Sequence, residues 1–338
     1  MAGRFRQFVV PGEEAVLVNV TIVVPVWNQP VLLQRLLESI SRQTRQPDEV
    51  IIVDSGSIDD AADVARRWGA RVISLGRNVG FAAAVNRGIA ECSSAYVALI
   101  NSDVELQANW MEVMLRAAEE NGAWFCCGKL LMSADRSRLD GTWDLIATSG
   151  FPLRAGHGHV DSAVYGVARS IALASATATL YRRDLFTNVG RFDETFESYL
   201  EDVDFSLRCA VGGFSGRYEP GAVAYHLGGG SQGRMVHLFA RNQVLLVRKL
   251  FPAELQRKFR SRILLGRLLW GALAARRGRF TAWASGIAEA RRTKVEHAPL
   301  ELGNLEQLLR DCEHEIRSAA RGDLYWHLYF LFTGSESR

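Results

Sequence analysis

Between Val20 and Ala118, short runs rich in valine and isoleucine alternate with segments of helical periodicity, and this alternation narrows the possible folds more than any other feature. Val20–Val26 precedes Val31–Ile40, whose leucines at 32, 33, 36 and 37 share one helical face. Val50–Val53 precedes a helix from about Asp60 to Trp68, Arg71–Leu75 one from about Phe81 to Glu91, and Tyr96–Ile100 one over Trp110–Ala118. Four β-α units in about 100 residues argue for the α/β class, with an open, mostly parallel sheet and helices on both faces. Ligands of such sheets bind beyond the carboxyl ends of the strands. Trp27-Asn28, Asp54-Ser-Gly-Ser57, Gly76-Arg-Asn78 and Asn101-Ser-Asp103 are therefore expected to line one crevice.

From about 133 to 170 the pattern turns irregular and glycine-rich, as in a loop or hairpin. Ile171–Tyr181 reads as one buried strand, Arg182–Val189 as a short helix and Glu201–Ala210 as another. Strands are expected near Arg217–Glu219 and at Ala222–His226. Beyond Met235 the chain reads as helical, with Phe251, Leu255, Phe259 and Ile263 at i+4 spacing. The expected organisation is an α/β domain over 1–233 and a helical region over 234–338.

Charge is distributed unevenly. Residues 234–294 hold 15 Lys and Arg against two acids, a net of +13, whereas 295–338 carry −4 and 1–233 carry −6. Such a basic block suits a polyanion or an anionic membrane surface. With Phe251, Leu255, Phe259, Ile263, Leu268, Leu269 and Trp270 beside it, the block has the composition of an interfacial helix. Nucleic acid is the weaker partner class, because no reading motif and no interleaved aromatics accompany the charge. Cys92, Cys126, Cys127, Cys209 and Cys312 show no CxxC or metal spacing and read as reduced core thiols of a cytoplasmic protein. The first ten residues do not read as a secretory signal, and Ile263–Ala275 is too short, and interrupted by Arg267, to span a bilayer.

Several positions carry chemistry, each beside a plainer explanation. Asp54 ends a strand before Ser-Gly-Ser, where a carboxylate either accepts the imide N–H of a pyrimidine or organises the turn. Gly76-Arg-Asn-Val-Gly-Phe opens a helix, where small residues either admit a phosphate, with Arg77 neutralising it, or form a tight turn. Asp103 and His226 each end a strand. Together they offer an oxygen and an imidazole to Mg²⁺ or Mn²⁺, although a lone histidine is more often structural. His157 and His159 read as loop residues. Glu201, Asp202 and Asp204 fall in one helical first turn, where the dipole favours acids without any catalytic role, yet three exceed what capping needs. Gly228–Gly233 lacks the Lys-Ser/Thr of a P-loop and reads as a mobile segment able to close over a ligand. A dinucleotide-dependent oxidoreductase would need a glycine fingerprint after the first strand, where this chain has Pro25-Val-Trp-Asn.

Taken in order from about Val20 to Gln243, seven elements resemble family 2 of the inverting, GT-A-fold glycosyltransferases, especially the bacterial rhamnosyltransferase-like branch. They are Val20-Thr-Ile-Val-Val-Pro-Val-Trp-Asn28, Val53-Asp-Ser-Gly-Ser-Ile-Asp-Asp60, Arg77-Asn-Val-Gly-Phe-Ala82, Asn101-Ser-Asp103, Tyr181-Arg-Arg-Asp184 with Gly190-Arg-Phe-Asp-Glu194, Leu200-Glu-Asp-Val-Asp-Phe-Ser-Leu-Arg208 and Pro220-Gly-Ala-Val-Ala-Tyr-His226. The resemblance implies a GT-A catalytic domain over 1–233, with a nucleotide-sugar half at about 20–103 and an acceptor half at about 104–233, followed by the C-terminal helices. It also implies a nucleoside-diphosphate sugar donor, UDP- or dTDP-linked with dTDP-rhamnose the leading guess, and a glycan or polyprenyl-linked saccharide acceptor. Asp202 would be the general base, with Glu201 and Asp204 on the acceptor side. Asp103 and His226 would hold Mg²⁺ or Mn²⁺. Pro25, Trp27, Asp54, Ser57, Arg77 and Asn78 would line the donor site, Asp54 taking the base. Asn101 and Ser102 would join them, with Arg241 and Asn242 near the donor phosphates. Asn101 stands where the family's metal motif opens with an acid, and Ala82-Ala83-Ala84 replaces a glycine-containing run. A non-catalytic sugar-nucleotide or polysaccharide-binding protein on the same fold is the alternative.

Overall fold

A computed structural model describes residues 18–228, 232–320 and 322–334. The first half follows the expected alternation: β1 (Val20–Val26), α1 (Pro30–Ser41), β2 (Glu49–Asp54), α2 (Ala61–Arg67), β3 (Arg71–Ser74), α3 (Phe81–Ala90) and β4 (Tyr96–Ile100). Then come β5 (Val104–Leu106), α4 (Trp110–Glu120), β6 (Phe125–Met132), β7 (Asp135–Gly141), β8 (Asp144–Ile146), β9 (Pro152–Arg154), β10 (Arg169–Ile171) and β11 (Ala178–Arg182). They are followed by α5 (Leu185–Asn188), α6 (Glu201–Val211), β12 (Gly216–His226) and the helices α7 (Gln232–Leu250), α8 (Ala253–Lys258), α9 (Arg260–Arg276), α10 (Phe280–Arg292), α11 (Leu302–Ala319) and α12 (Leu324–Thr333).

The main sheet runs β10-β12-β6-β11-β4-β1-β2-β3. β3, β2, β1 and β4 are parallel, and the valines and isoleucines of β2, β1 and β4 are buried on both faces, as a sheet covered by helices on either side requires, while those of the edge strand β3 are half-buried. The chain leaves β1 toward β2 and β3 and returns to pair β4 on the other side. Strand order thus reverses between β1 and β4, the point at which open α/β sheets form a ligand crevice. Beyond β4 the sheet is mixed, with β11 antiparallel to β4 and β6, and β12 parallel to β6.

Two expectations are corrected here. Ile171–Tyr181 is not one strand: β10 and β11 are separated by 172–177. There Ser175 Oγ meets Thr177 Oγ1 at 2.8 Å and Ser175 O accepts from Thr179 Oγ1 at 2.6 Å, local bonds that compete with a ladder. The two strands expected over 217–226 are one, β12, irregular where Pro220 cannot donate, with a register shift between Glu219 and Val223. The irregular stretch from 133 to 170 does contain the expected hairpin, formed by β8 and β9, while β7 pairs antiparallel with β6.

The helices after 233 do not form a separate core. Leu245, Phe251, Leu309 and Tyr329 belong to the same buried cluster as Val23 and Leu99. Phe251, Leu255, Phe259 and Ile263 are all buried but lie on no single helix, because Pro252 ends the run of α7 and Phe259 separates α8 from α9. All five cysteines are free and buried. No helix among the described residues is long and apolar enough to cross a membrane.

Candidate active site

The crevice is built from three loops that brace one another. Asp54 is buried at the end of β2, and its Oδ1 accepts from Ser57 N at 2.9 Å. Ser57 Oγ in turn accepts from Asn28 N, and Asn28 Oδ1 from Ile58 N, both at 2.9 Å. The carboxylate therefore does organise its turn, with one oxygen. Gly56 has φ +76°, and a Cβ there would lie 2.5 Å from Arg77 N, so the loops after β2 and β3 touch through a position only glycine fits. Pro25 closes the inner end of β1 opposite Val53, and Trp27 stands half exposed at the rim.

Of the two readings of the start of α3, the structure follows the tight turn rather than an open phosphate cradle. Phe81 N donates to Ser198 Oγ at 3.1 Å and Ala82 N to Glu197 O at 2.9 Å, so two donors of its first turn are already satisfied. Asn78 Oδ1 accepts from Gly80 N at 3.0 Å, an Asx turn. Small residues here admit the 197–198 backbone: a Cβ on Gly80 would lie 2.8 Å from Glu197 O.

Asp103 and His226 do meet. β5 pairs β12 with Val104 opposite His226, and Leu227 N donates to Asp103 O at 3.0 Å. His226 Nε2 lies 3.3 Å from Asp103 Oδ2. Ser102 Oγ donates to Gln29 Oε1 at 2.5 Å, and Asn101 Oδ1 is buried without a partner. Among the described residues no three His, Cys, Asp or Glu side chains group into a metal cage. Two protein ligands suffice for a hard cation that takes its other positions from diphosphate and water, and the orphaned Asn101 oxygen adds a donor of the right kind. These residues fit Mg²⁺ or Mn²⁺.

Behind His226 stands a set of charges that sequence reasoning did not single out. Asp140, from β7, places Oδ2 2.9 Å from His226 Nδ1. Arg154, from β9, places Nη1 3.1 Å from the same oxygen, reaches Asp144 Oδ1 at 3.6 Å with Nε, and donates to Ser175 Oγ. It crosses Gly141, where a Cβ would lie 2.0 Å from Arg154 Cδ. Burial opposes the charge on His226, but its bonds to Asp103 and Asp140 outweigh it and lift the imidazole to about 9. Burial likewise opposes the charge on Asp140, yet His226 and Arg154 hold it down at about 2. Burial pushes the Asp144 carboxyl above its usual range against the pull of Arg154, and the charge of Asp202 adds to the rise. The sequence signal was faint: an Asp140-Gly-Thr-Trp-Asp144 run inside a glycine-rich stretch.

The three acids of α6 part ways. Asp202 accepts from Ala176 N at 3.3 Å with Oδ2, at the edge of the 172–177 segment, and lies within electrostatic range of Arg154. Glu201 is buried with Oε2 unpartnered, and burial followed by the charge of Asp202 pushes its carboxyl well up. Asp204 is fully buried and paired with Arg208 Nη2 at 2.9 Å and Lys249 Nζ at 2.7 Å, so it serves the core rather than an acceptor.

Arg241 and Asn242 are likewise committed to the scaffold. Glu197, Tyr199 and Leu200, just before α6, have φ of 60°, 69° and 69°, a costly run for residues with a Cβ. The fully buried Asn242 amide donates to Phe196 O, Ser198 O and Tyr199 O at 2.8, 2.9 and 2.7 Å. Arg241 bonds Thr195 O at 2.9 Å and Glu197 Oε1 at 3.1 Å. With these partners neither side chain is free to reach donor phosphates. His157 is exposed and bonded through Nδ1 to Asp140 O, as a loop residue. Within Gly228–Gly233, residues 229–231 lie outside the described residues, and Gln232 and Gly233 open α7.

Residues 21–190 match the family model described as glycosyl transferase family 2. The N-acetylglucosaminyl-diphospho-decaprenol L-rhamnosyltransferase of Mycobacterium tuberculosis is 28% identical over 226 residues, 60% of this chain and 74% of that protein. The pre-mycofactocin glycosyltransferase of the same species is 30% identical over 213 residues, 62% of this chain but 42% of its own length. Among solved structures, GalNAc-T7 with UDP, GalNAc and Mn²⁺ superposes over 90% of this chain and 58% of its own, with TM-score 0.64 and 13% identity. The mannosyltransferase PcManGT from Pyrobaculum calidifontis, with GDP-Man and Mn²⁺, covers 93% of this chain and 85% of its own, with TM-score 0.53 and 16% identity. The fold is GT-A-like, and by sequence the chain belongs to glycosyl transferase family 2.

Proposed function

We propose that this protein is a metal-dependent, inverting glycosyltransferase. It moves a sugar from a UDP- or dTDP-linked donor, dTDP-rhamnose being the first to test, onto a hydroxyl of a saccharide acceptor. The acceptor class we favour is a polyprenyl-linked saccharide used in cell-surface polysaccharide synthesis, at the cytoplasmic face of the membrane. That choice is motivated by the decaprenol-linked substrate in the name of the rhamnosyltransferase relative. One observation carries the reading of the chemistry: Asp103–His226 and Asp202 approach the two sides of Arg154 through Asp140 and the 172–177 segment.

Each residue then has a task. Asp54 holds its turn with Oδ1, leaving Oδ2 for the imide N–H of a uracil or thymine. Trp27 offers an exposed indole at the crevice rim, and Arg77, beside Gly56, offers a cation to the diphosphate. Asp103 and His226, with the Asn101 oxygen, would hold the cation, which when bound neutralises charge on the departing diphosphate. Asp202 accepts the proton of the acceptor hydroxyl as that oxygen attacks the anomeric carbon from the face opposite the leaving group, so the configuration inverts. Asp140 holds the imidazole of His226 with Nε2 toward Asp103, and Arg154 holds Asp140.

A panel of nucleotide sugars assayed with Mn²⁺, Mg²⁺ or EDTA tests this. Donor-dependent transfer with inverted product, abolished by EDTA, is expected. Donor binding with neither transfer nor donor hydrolysis would favour a non-catalytic sugar-nucleotide binder.

A further inference from the structure

We propose that the outward face of α9, continued by Phe280 at the start of α10, docks on an anionic phospholipid surface. The apolar residues that composition first suggests for such a role do not supply it, because Phe251, Leu255, Phe259 and Ile263 are consumed by the core.

The face is fixed by packing. On its inner side α9 buries Ile263, Gly266, Gly271 and Ala274. A Cβ on Gly266 would lie 2.9 Å from the Phe151 ring and 3.0 Å from Tyr325 Oη, and one on Gly271 2.8 Å from the Trp283 ring. With α12 against one flank and α10 against the other, rotation of α9 is not free. The opposite line, at i+4 spacing, is Arg260, Leu264, Leu268, Ala272 and Arg276, all exposed. Leu264 and Leu268 are each 56% exposed. Past the turn at Arg277 and Gly278, Phe280 is 51% exposed and packs against Trp283 at 5.3 Å between ring centroids.

The charge around this line has one sign. From Leu255 to Ala288 the sequence holds eight Lys and Arg and no acid. Lys258 is exposed but paired with Glu306, while Arg262 and Arg267 are drawn inward to Glu313 and Gln243. Arg260, Arg276 and Arg277 are exposed and form no ion pair among the described residues. An apolar strip ended by arginines is the surface of a helix that lies in a headgroup layer. A second copy of the chain would bring the same positive charge against it. A nucleic acid would make no use of Leu264 and Leu268. An anionic lipid surface uses both, with headgroups for the arginines and acyl chains for the leucines.

This inference is independent of the transfer chemistry. The test is flotation of the full chain with vesicles of phosphatidylcholine alone or mixed with phosphatidylglycerol, at low and high salt. Binding to the anionic vesicles should exceed binding to the neutral ones by roughly tenfold or more and should fall at high salt. Leu264→Glu with Leu268→Glu, and separately Arg276→Gln with Arg277→Gln, should each abolish most of it. Circular dichroism and donor hydrolysis should stay as in the wild type. Absence of binding to anionic vesicles overturns the proposal. So does full vesicle binding by the leucine variant alongside loss by the arginine variant, which would mark a general polyanion patch.

Discussion

His226 is held from both sides, with Nδ1 2.9 Å from Asp140 Oδ2 and Nε2 3.3 Å from Asp103 Oδ2. One carboxylate orients the ring from behind while the other shares its front. Asp140→Asn should therefore weaken Mn²⁺ binding by roughly 10–100-fold, as loss of such an outer partner does at other metal sites. Manganese titration followed by electron paramagnetic resonance reads this directly, and excess Mn²⁺ should recover much of the transfer rate. Unchanged affinity would remove Asp140 from the site.

The same imidazole links stability to pH in the metal-free protein. Its folded value of about 9 exceeds the ordinary histidine range, so its contribution is present in full below about 6.5 and is lost as pH rises through 9. Wild type should lose its advantage over His226→Asn across that window, by at most about 3 kcal/mol. Urea titrations at pH 6, 7.5 and 9, in EDTA, check the sign. An advantage that grew with pH would contradict a charged His226.

Asp202→Asn should leave donor binding within about twofold and lower transfer by roughly 10²–10⁴, the range attributable to a positioned base. Calorimetry with the nucleoside diphosphate and initial transfer rates separate the two effects. A folded variant transferring at near-normal rates would move the base elsewhere.

Glu201 and Asp204 sit three residues apart on α6 but should respond to very different degrees. Asp204→Asn leaves Lys249 and Arg208 short of a buried partner and should cost about 3–5 kcal/mol. Glu201→Gln replaces a buried carboxyl already pushed toward its neutral form and should cost well under about 1 kcal/mol at pH 7. Chemical denaturation of the two variants side by side is sufficient.

Asn242→Ala removes the amide that ties Phe196 O, Ser198 O and Tyr199 O together, leaving a left-handed run without its clamp. A loss of about 1–3 kcal/mol is expected for buried carbonyls left unpaired. The loop also caps α3 and leads into Asp202, so transfer should fall more than stability alone explains. Hydrogen exchange should show faster opening at 196–200.

The parallel half of the fold could be read from the chain itself, because a strand buried on both faces must be apolar throughout and a helix must repeat every three to four residues. Those local rules placed β1 to β4, α1 to α4 and the crevice at the strand ends. They also singled out Asp103, Asp202 and His226 as polar residues at strand ends or in a helix's first turn, although not their mutual distances. Everything that depended on partners distant in the chain was settled by tertiary packing. Arg241 and Asn242 look like solvent-seeking polar residues, yet α7 buries them against 195–199. Asp204 differs from Asp202 only in the side of α6 it occupies. Asp140, Asp144 and Arg154 come from a stretch with no periodicity, and only the turn back of β9 and the pairing of β6 with β7 and β12 bring them behind His226. The apolar residues of the C-terminal helices were equally undecided. On α9, Ile263 went inward and Leu264 and Leu268 stayed out, because Phe151, Trp283 and Tyr325 close on the glycines of that helix and fix which side faces the core.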